Sequence, residues 1–351
     1  MSAENRSFVN AVNTGNTSQI RKLIARREVT VASLVNGYPP LLVASMRGHV
    51  EAIKTLVSLG ASVSTSNING TTALYVAAEF GHVQIIKTLV ELGANVFCID
   101  INQCTPLYIA AEMGRVEAIS TLVSLGASVS CVDINGCTPL IVAAQQGHAE
   151  AIKTLVSLGA DLSATLPNGS TSLHAAAAND HVQAIKTLVS LGANLSAAGD
   201  KGQTPLHTAA GEGRVQAIKT LVSLGADISS TDNNGTTPVL LAAVNNHVSA
   251  IKLLYKLGAD LGFADVVPEL GGGTSALQLA QKCNNDAAVQ LIRGILSKIQ
   301  SECECCGSST KKLSLCGRCS KVRYCSRECQ VKDYKKHKSD CKASAVAASG
   351  V

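Results

Sequence analysis

Apolar and polar positions along most of this chain return with a period of 33 residues. A Gly-Ala pair recurs at Gly60, Gly93, Gly126, Gly159, Gly192, Gly225 and Gly258, and a turn glycine at Gly37, Gly70, Gly136, Gly169, Gly202 and Gly235, with Gln103 in its place once. The unit from Gln103 to Asn135 shows what each stretch should form. Thr105 is placed to cap a helix, Pro106 suits its first turn, and Leu107, Ala110 and Ala111 give it an inner face before Gly114 stops it. Val116, Ile119, Leu122 and Val123, spaced by three and four, predict a second helix that Gly126 ends in the left-handed conformation. Neither helix buries its apolar stripe alone, so stability must come from stacking one pair on the next.

The register holds without insertion through seven such units, and both ends degrade as capping units should. Counting back by 33, Phe8, Ala11, Gly15, Ile20 and Leu23 fall on the positions of Leu41, Ala44, Gly48, Ile53 and Leu56, while Arg26 and Arg27 replace the Leu-Gly stop. A longer connection at 260–273 precedes a final helix pair over 274–299 with Lys282, Asn284 and Asp286 at polar substitutions. The pattern therefore predicts an all-α solenoid over 1–300, about nine units with caps at 4–36 and 272–300.

Composition sharpens this picture in two places. Aromatic residues are 3% of the chain and Trp is absent, so the core must be thin layers of Leu, Ile, Val and Ala. The 13 cysteines divide unevenly, eight of them lying in 303–341 at metal-ligand spacings, which points to a reducing compartment, cytoplasm or nucleus. Apolar stretches fall well short of the roughly 18 residues of a membrane span, and the start lacks a leader pattern. A soluble, unexported protein is expected. Residues 1–300 carry 19 Lys and Arg against 20 Asp and Glu, whereas 301–351 carry 11 against 5. Metal-bound thiolates would roughly halve that basic excess, which weakens a nucleic-acid reading.

Four ligand pairs lie in the C-terminal segment: Cys303 and Cys306, Cys316 and Cys319, Cys325 and Cys329, His337 and Cys341, with Cys305 left over. Eight thiol and imidazole donors complete two tetrahedral zinc sites with no open position, which is structural rather than catalytic chemistry. A segment of this size cannot fold on its apolar surface alone, so the two ions must supply on the order of 10 kcal/mol or more per site. The tail, 343–351, is small and featureless and is expected to be disordered.

The turn Gly, the Thr-Pro-Leu stretch, the Ala-Ala pair and the closing Gly-Ala resemble the ankyrin repeat family over some 85% of the chain. That resemblance implies helix-turn-helix units joined by β-hairpin turns and a concave protein-binding side. The family's Thr-Pro-Leu-His is complete at Thr204–His207, and His174 keeps the imidazole; Leu42, Tyr75, Tyr108, Ile141 and Leu240 stand there in other units. Some of the family's inter-unit hydrogen bonds should therefore be missing. Segment 301–342 is similar to the MYND-type zinc finger, carried by Cys303-x-x-Cys306-Gly307, Cys316-x-x-Cys319, Tyr324-Cys325-Ser326-x-x-Cys329-Gln330 and Asp333-Tyr334-x-x-His337-Lys338-x-x-Cys341. A RING finger sets its histidine in the middle of the series. The MYND resemblance implies interleaved pairing, Cys303, Cys306, Cys325 and Cys329 on one ion and Cys316, Cys319, His337 and Cys341 on the other. It also implies binding of a proline-containing peptide at Ser326, Gln330 and Tyr334, with Tyr334 where the family usually has Trp.

Comparison of units with one another locates a candidate surface. Ala-Ile-Lys-Thr-Leu-Val-Ser-Leu-Gly-Ala recurs at 52, 151, 184 and 217, while the end of the first helix varies: Met46-Arg47, Glu79-Phe80, Glu112-Met113, Gln145-Gln146. This row should line the concave side with hairpin residues near Asp100, Asp133, Asp200 and Asp232, and Phe80 and Met113 beside Glu79 and Glu112, with Tyr75 and Tyr108 one turn away, form its best protein-anchoring patch. The Lys54, Lys87, Lys153, Lys186, Lys219, Lys252 series reads as a solvated face. Cys98, Cys104, Cys131 and Cys137 read as copied small hydrophobes. No phosphate loop, open metal site or activated nucleophile appears, so a monomeric, non-enzymatic adaptor binding proteins is expected, with a nucleic-acid-associated transcriptional regulator using the basic finger as the alternative.

Overall fold

The computed structural model describes residues 3–35, 37–261, 275–299, 314–315 and 323–324. The chain divides into two compact units, Met1–Asn234 and Gly235–Val351. In the first, helices come in antiparallel pairs, each pair one 33-residue repeat. The opening pairs are α1 (Ala3–Asn13) and α2 (Thr17–Ala25), α3 (Pro40–Met46) and α4 (Val50–Ser58), α5 (Ala73–Phe80) and α6 (Val83–Glu91), then α7 (Pro106–Glu112) and α8 (Val116–Ser124). They continue as α9 (Pro139–Gln145) and α10 (Ala149–Ser157), α11 (Ser172–Ala178) and α12 (Val182–Ser190), α13 (Pro205–Gly211) and α14 (Val215–Ser223).

Each first helix starts as its sequence dictates. Thr72, Thr105 and Thr138 accept a hydrogen bond from the backbone N–H three residues on, and Pro106 and Pro139 occupy the first turn, where no amide hydrogen is needed. Gly126, at φ +99°, closes α8 by letting Ala127 N–H return to the Leu122 carbonyl at 2.9 Å. Leu107, Ala110, Ile119 and Leu122 are wholly buried, and so are Phe8 and Ile20 in the degenerate first unit. The core is thus a continuous run of small aliphatic layers.

One register position ties each unit to the preceding one. His49, His82, His148 and His181 donate through Nε2 to the carbonyls of Asn13, Met46, Glu112 and Gln145, at 2.9–3.2 Å. Arg115 and Arg214 do the same through Nε, to Glu79 and Ala178. These carbonyls end first helices and have no intrahelical partner, so the side chain of the next unit completes them. At Gly147, φ +80°, an added Cβ would come within 2.7 Å of the His181 ring, so close approach and backbone conformation both require glycine. Where the series departs from glycine, Asp180 takes the same left-handed conformation, φ 61°, and its Oδ1 accepts from Ala217 N–H of α14.

The connecting hairpins are tighter than extended β-ribbons. Among the described residues of this unit they contain only the isolated bridges Val35–Tyr38, Ser66–Thr72 and Thr165–Thr171. Side-chain oxygens hold several turns instead: Asn67, Asp100 and Asp133 each accept two backbone N–H groups through Oδ1. Gln103 carries the left-handed turn at φ 63° that glycine carries elsewhere. Successive hairpin tips are stitched by backbone bonds, Ile101 N–H to Asn69, Ile134 N–H to Asn102, Asp200 N–H to Asn168 and Asn233 N–H to Lys201. At the matching place between them stands Pro167, which has no N–H to give.

The second unit holds α15 (Pro238–Val244), α16 (Val248–Lys256), α17 (Ala276–Lys282), α18 (Asp286–Ile299), β1 (Ser314–Leu315) and β2 (Arg323–Tyr324). Asn285 donates through Nδ2 to the carbonyls of Ala243 and Val244, and Ala288 N–H donates to Asn246 Oδ1. These bonds repeat the inter-unit logic with amides in place of imidazole. A reciprocal cap between Ser275 and Gln278 opens α17. The two short strands pair antiparallel, Ser314 with Tyr324 and Leu315 with Arg323. The fold is all-α apart from that ladder, and no described helix is long and apolar enough to cross a membrane.

Candidate functional site

The variable row expected to bind protein lies on neighbouring first helices. Glu79 and Phe80 end α5; Glu112 ends α7, with Met113 as its C-cap. Phe80 and Met113 are 41% and 37% exposed, large apolar side chains that face solvent although a buried core lies one turn away. The Phe80 ring stacks on His82, with centroids 6.1 Å apart and planes within 13°. Beside it an open groove of about 470 Å³ is lined by Phe80, Gly114, Arg115, Glu117 and Glu150, among others.

The two tyrosines of this patch separate. Tyr75 is half-buried, whereas Tyr108 is 7% exposed and sends its hydroxyl to Asp133 Oδ2 at 3.4 Å. Tyr108 therefore supports the face from beneath. Burial, then the neighbouring Asp100, pushes the Tyr75 hydroxyl well above its usual range. Asp133 and Asp232, expected among the hairpin contact residues, are buried, and Asp133 instead accepts from Asn135 N–H, Cys137 N–H and Tyr108. Asp200 is exposed.

Glu79 and Glu112 are half-buried, and their carboxyls titrate above the usual carboxylate range. For Glu79 the cause is burial, opposed by the Arg115 guanidinium; for Glu112 it is burial, reinforced by Glu79, Asp133 and Asp100. Neither carboxylate accepts a hydrogen bond or forms an ion pair with a described residue. The face is thus apolar at its centre and negative around it.

The repeat cysteines contribute no nucleophile. Cys98 and Cys131 contact the hydroxyls of Thr72 and Thr105 at 3.2 and 3.1 Å. Burial, aided by Asp100 and then Asp133, pushes the Cys104 thiol up to about 12, and burial pushes Cys137 to about 11, so both stay protonated at neutral pH. Lys87, Lys186, Lys219 and Lys252 are exposed, and Lys54 and Lys153 pair on the surface with Glu51 and Glu150. The sequence pattern assigns no role to His49, His82, His148 and His181, which are inter-unit donors. A His or Arg recurring in one register was the signal available.

The metal-ligand series Cys303, Cys306, Cys316, Cys319, Cys325, Cys329, His337 and Cys341 lies outside the described residues, as do Ser326, Gln330, Tyr334 and the tail 343–351. Among the described residues no three His, Cys, Asp or Glu side chains gather to hold a metal ion. The donor set itself, seven thiols and one imidazole in pairs, suits tetrahedral zinc.

Family models for triple ankyrin repeats match residues 8–100, 93–166 and 158–232, a single ankyrin repeat matches 234–266, and the MYND finger matches 303–341. The crystal structure of the human ASB11 ankyrin repeat domain is similar at 29% identity and a TM-score of 0.56, over 63% of this chain and 98% of that one. Among curated proteins, rat N-lysine methyltransferase SMYD2 is 46% identical over 44 residues, 12% of this chain and 10% of its own. SET domain-containing protein 14 of Caenorhabditis elegans is 44% identical over 46 residues, 13% and 11% of the two chains. This chain spans about a tenth of the length of those relatives, and the SMYD2 likeness is confined to the finger. Ankyrin repeats and MYND fingers are protein-interaction modules, and MYND fingers bind zinc. With ankyrin models running from residue 8 to 232, well over half of its length, the chain belongs to the ankyrin repeat family and carries a MYND finger after the array.

Proposed function

We propose that the protein is a non-enzymatic adaptor, in which the concave side of the array holds one protein and the finger holds a proline-containing segment of another. The observation that carries this reading is the exposed Phe80 and Met113 at the ends of α5 and α7, flanked by the Glu79 and Glu112 carboxylates, neither of which accepts a hydrogen bond from a described residue. Exposed large apolar groups of this kind act as anchors when a partner desolvates them. The array would occupy 1–300 and the finger 301–342, acting as a monomer in the cytoplasm or nucleus without nucleic acid.

Two zinc ions would shape the finger, one on Cys303, Cys306, Cys325 and Cys329, the other on Cys316, Cys319, His337 and Cys341. When bound they supply folding free energy and no chemistry, because both ligand sets are complete. Ser326, Gln330 and Tyr334 would then meet the peptide. Affinity capture with the intact chain, a Phe80→Ala/Met113→Ala form and a Cys325→Ser form tests the division of labour. The expected result is loss of one partner set with the array variant and of a different set with the finger variant, together with two zinc ions per intact chain by elemental analysis. Identical partner sets for all three forms, or fewer than two zinc ions, would overturn the reading.

A further inference from the structure

We propose that the Phe80–Met113 face takes a cationic segment in the polyproline-II conformation: two arginine or lysine side chains three residues apart, set against Glu79 and Glu112, with an aliphatic side chain between them resting on Met113. This inference rests on the adaptor reading of the array and adds the chemistry of the partner.

Three observations lead to it. First, the negative potential is local. Residues 1–300 are close to neutral in formal charge, yet the charges acting on the Glu112 carboxyl, from Glu79, Asp133 and Asp100, are all negative. Arg115 is the cation that offsets Glu79, and its Nε is already committed to the Glu79 carbonyl at 2.9 Å. In the same groove Glu150 is held by Lys153 at 2.7 Å, which leaves Glu117 as a further exposed carboxylate. A neutral or acidic partner would desolvate Glu112 with no counter-charge and Glu79 with Arg115 alone to offset it; a cationic one relieves a cost the free protein carries.

Second, the Phe80 ring is braced by the parallel His82 ring and lines the groove. A braced, part-exposed aromatic face beside carboxylates is a seat for a guanidinium, which gains from the ring and from the ion pair together. Third, α5 and α7 are neighbours in the stack. Packed helices lie about 8–10 Å apart, and a polyproline-II chain has three residues per turn and advances about 3.1 Å per residue, so side chains three residues apart return to one face about 9 Å on and can serve Glu79 and Glu112.

The test uses the zinc-loaded full chain as bait for a displayed library of random twelve-residue peptides. A parallel selection uses a Glu79→Gln/Glu112→Gln form, which keeps size and shape and removes both charges. Peptides recovered by the first and lost from the second should carry Arg or Lys pairs at a spacing of three with an aliphatic residue between. Remade singly, they should bind the double variant at least about tenfold more weakly and respond less to salt. Phe80→Ala should weaken the same peptides. Glu79- and Glu112-dependent peptides that are neutral or acidic, or no peptides that depend on those two residues, would overturn the inference. Loss of neutral peptides with Phe80→Ala alone would do so while leaving the face a protein-binding surface, whereas indifference to all of these substitutions would sink both.

Discussion

The unit containing His174 and the unit containing Tyr108 solve one problem at one register position, by different means. The His174 ring is buried and makes three bonds: Nδ1 accepts from Thr171 N–H and from its hydroxyl, and Nε2 donates to the Gln203 carbonyl in the next unit at 2.9 Å. The Tyr108 hydroxyl makes one long bond, to Asp133, and no described hydrogen bond holds the Tyr75 hydroxyl. Histidine therefore clamps its own helix start and the following hairpin, while tyrosine joins the following hairpin alone. The proposed binding face sits in the less firmly tied tyrosine units, which agrees with the general drift of ligand surfaces toward the less stable parts of a fold.

The comparison breaks first at His174. His174→Ala should cost about 3 kcal/mol in urea unfolding of the array, since it opens a cavity and leaves the buried Thr171 N–H without its acceptor. A cost equal to that of Tyr108→Phe would remove the distinction. Acid is the next lever. Burial, more than the nearby His207, holds His174 below its ordinary value near 6.5, so the folded state favours the neutral ring. Its contribution is whole above about pH 6.5 and is lost as the pH falls further. The midpoint of thermal unfolding should drop between pH 7 and pH 5, and less steeply in His174→Gln. If the variant falls as steeply as the native chain, this imidazole is not the sensor.

Tyr108→Phe should cost about 1 kcal/mol, the worth of a single neutral hydrogen bond, and Tyr75→Phe less than about half of that. Double substitution would sharpen the contrast by showing whether the two tyrosines act independently. The smallest expected change is a gain. Gln103 holds a left-handed turn, and Gln103→Gly should stabilise the tyrosine units by about 0.5–1 kcal/mol, read as a rise in unfolding midpoint.

Most of the scaffold was legible because the repeat writes each structural role at a fixed interval. The helix pairs, the caps at Thr105 and Pro106 and the buried Phe8 and Ile20 of the first unit all follow from local pattern. Tyr75 and Tyr108 were indistinguishable by that pattern, yet one is half-exposed and the other buried. Their depth depends on the hairpin of the following unit, where Asp133 is tucked in and Asp100 is half-open, and no single repeat carries that information. The donor role of His82 and Arg115 was hidden for the same reason: the bond is formed with a carbonyl 36 residues earlier. At the finger, spacing names eight donors, but only proximity in space sorts them between two ions.

Pro167 gives the array a seam. Where every other tip between Asn69 and Asn233 passes a backbone bond to its neighbour, this crossing has none among the described residues, so the stitching falls into two blocks, one held by Ile101 and Ile134, the other by Asp200 and Asn233. In a structure whose cooperativity passes only between adjacent units, a weakened link sets where partial opening stops. Amide exchange should therefore report two protection levels that meet at residue 167, and a partner pulling on the Phe80 face would load the first block before strain reached the second.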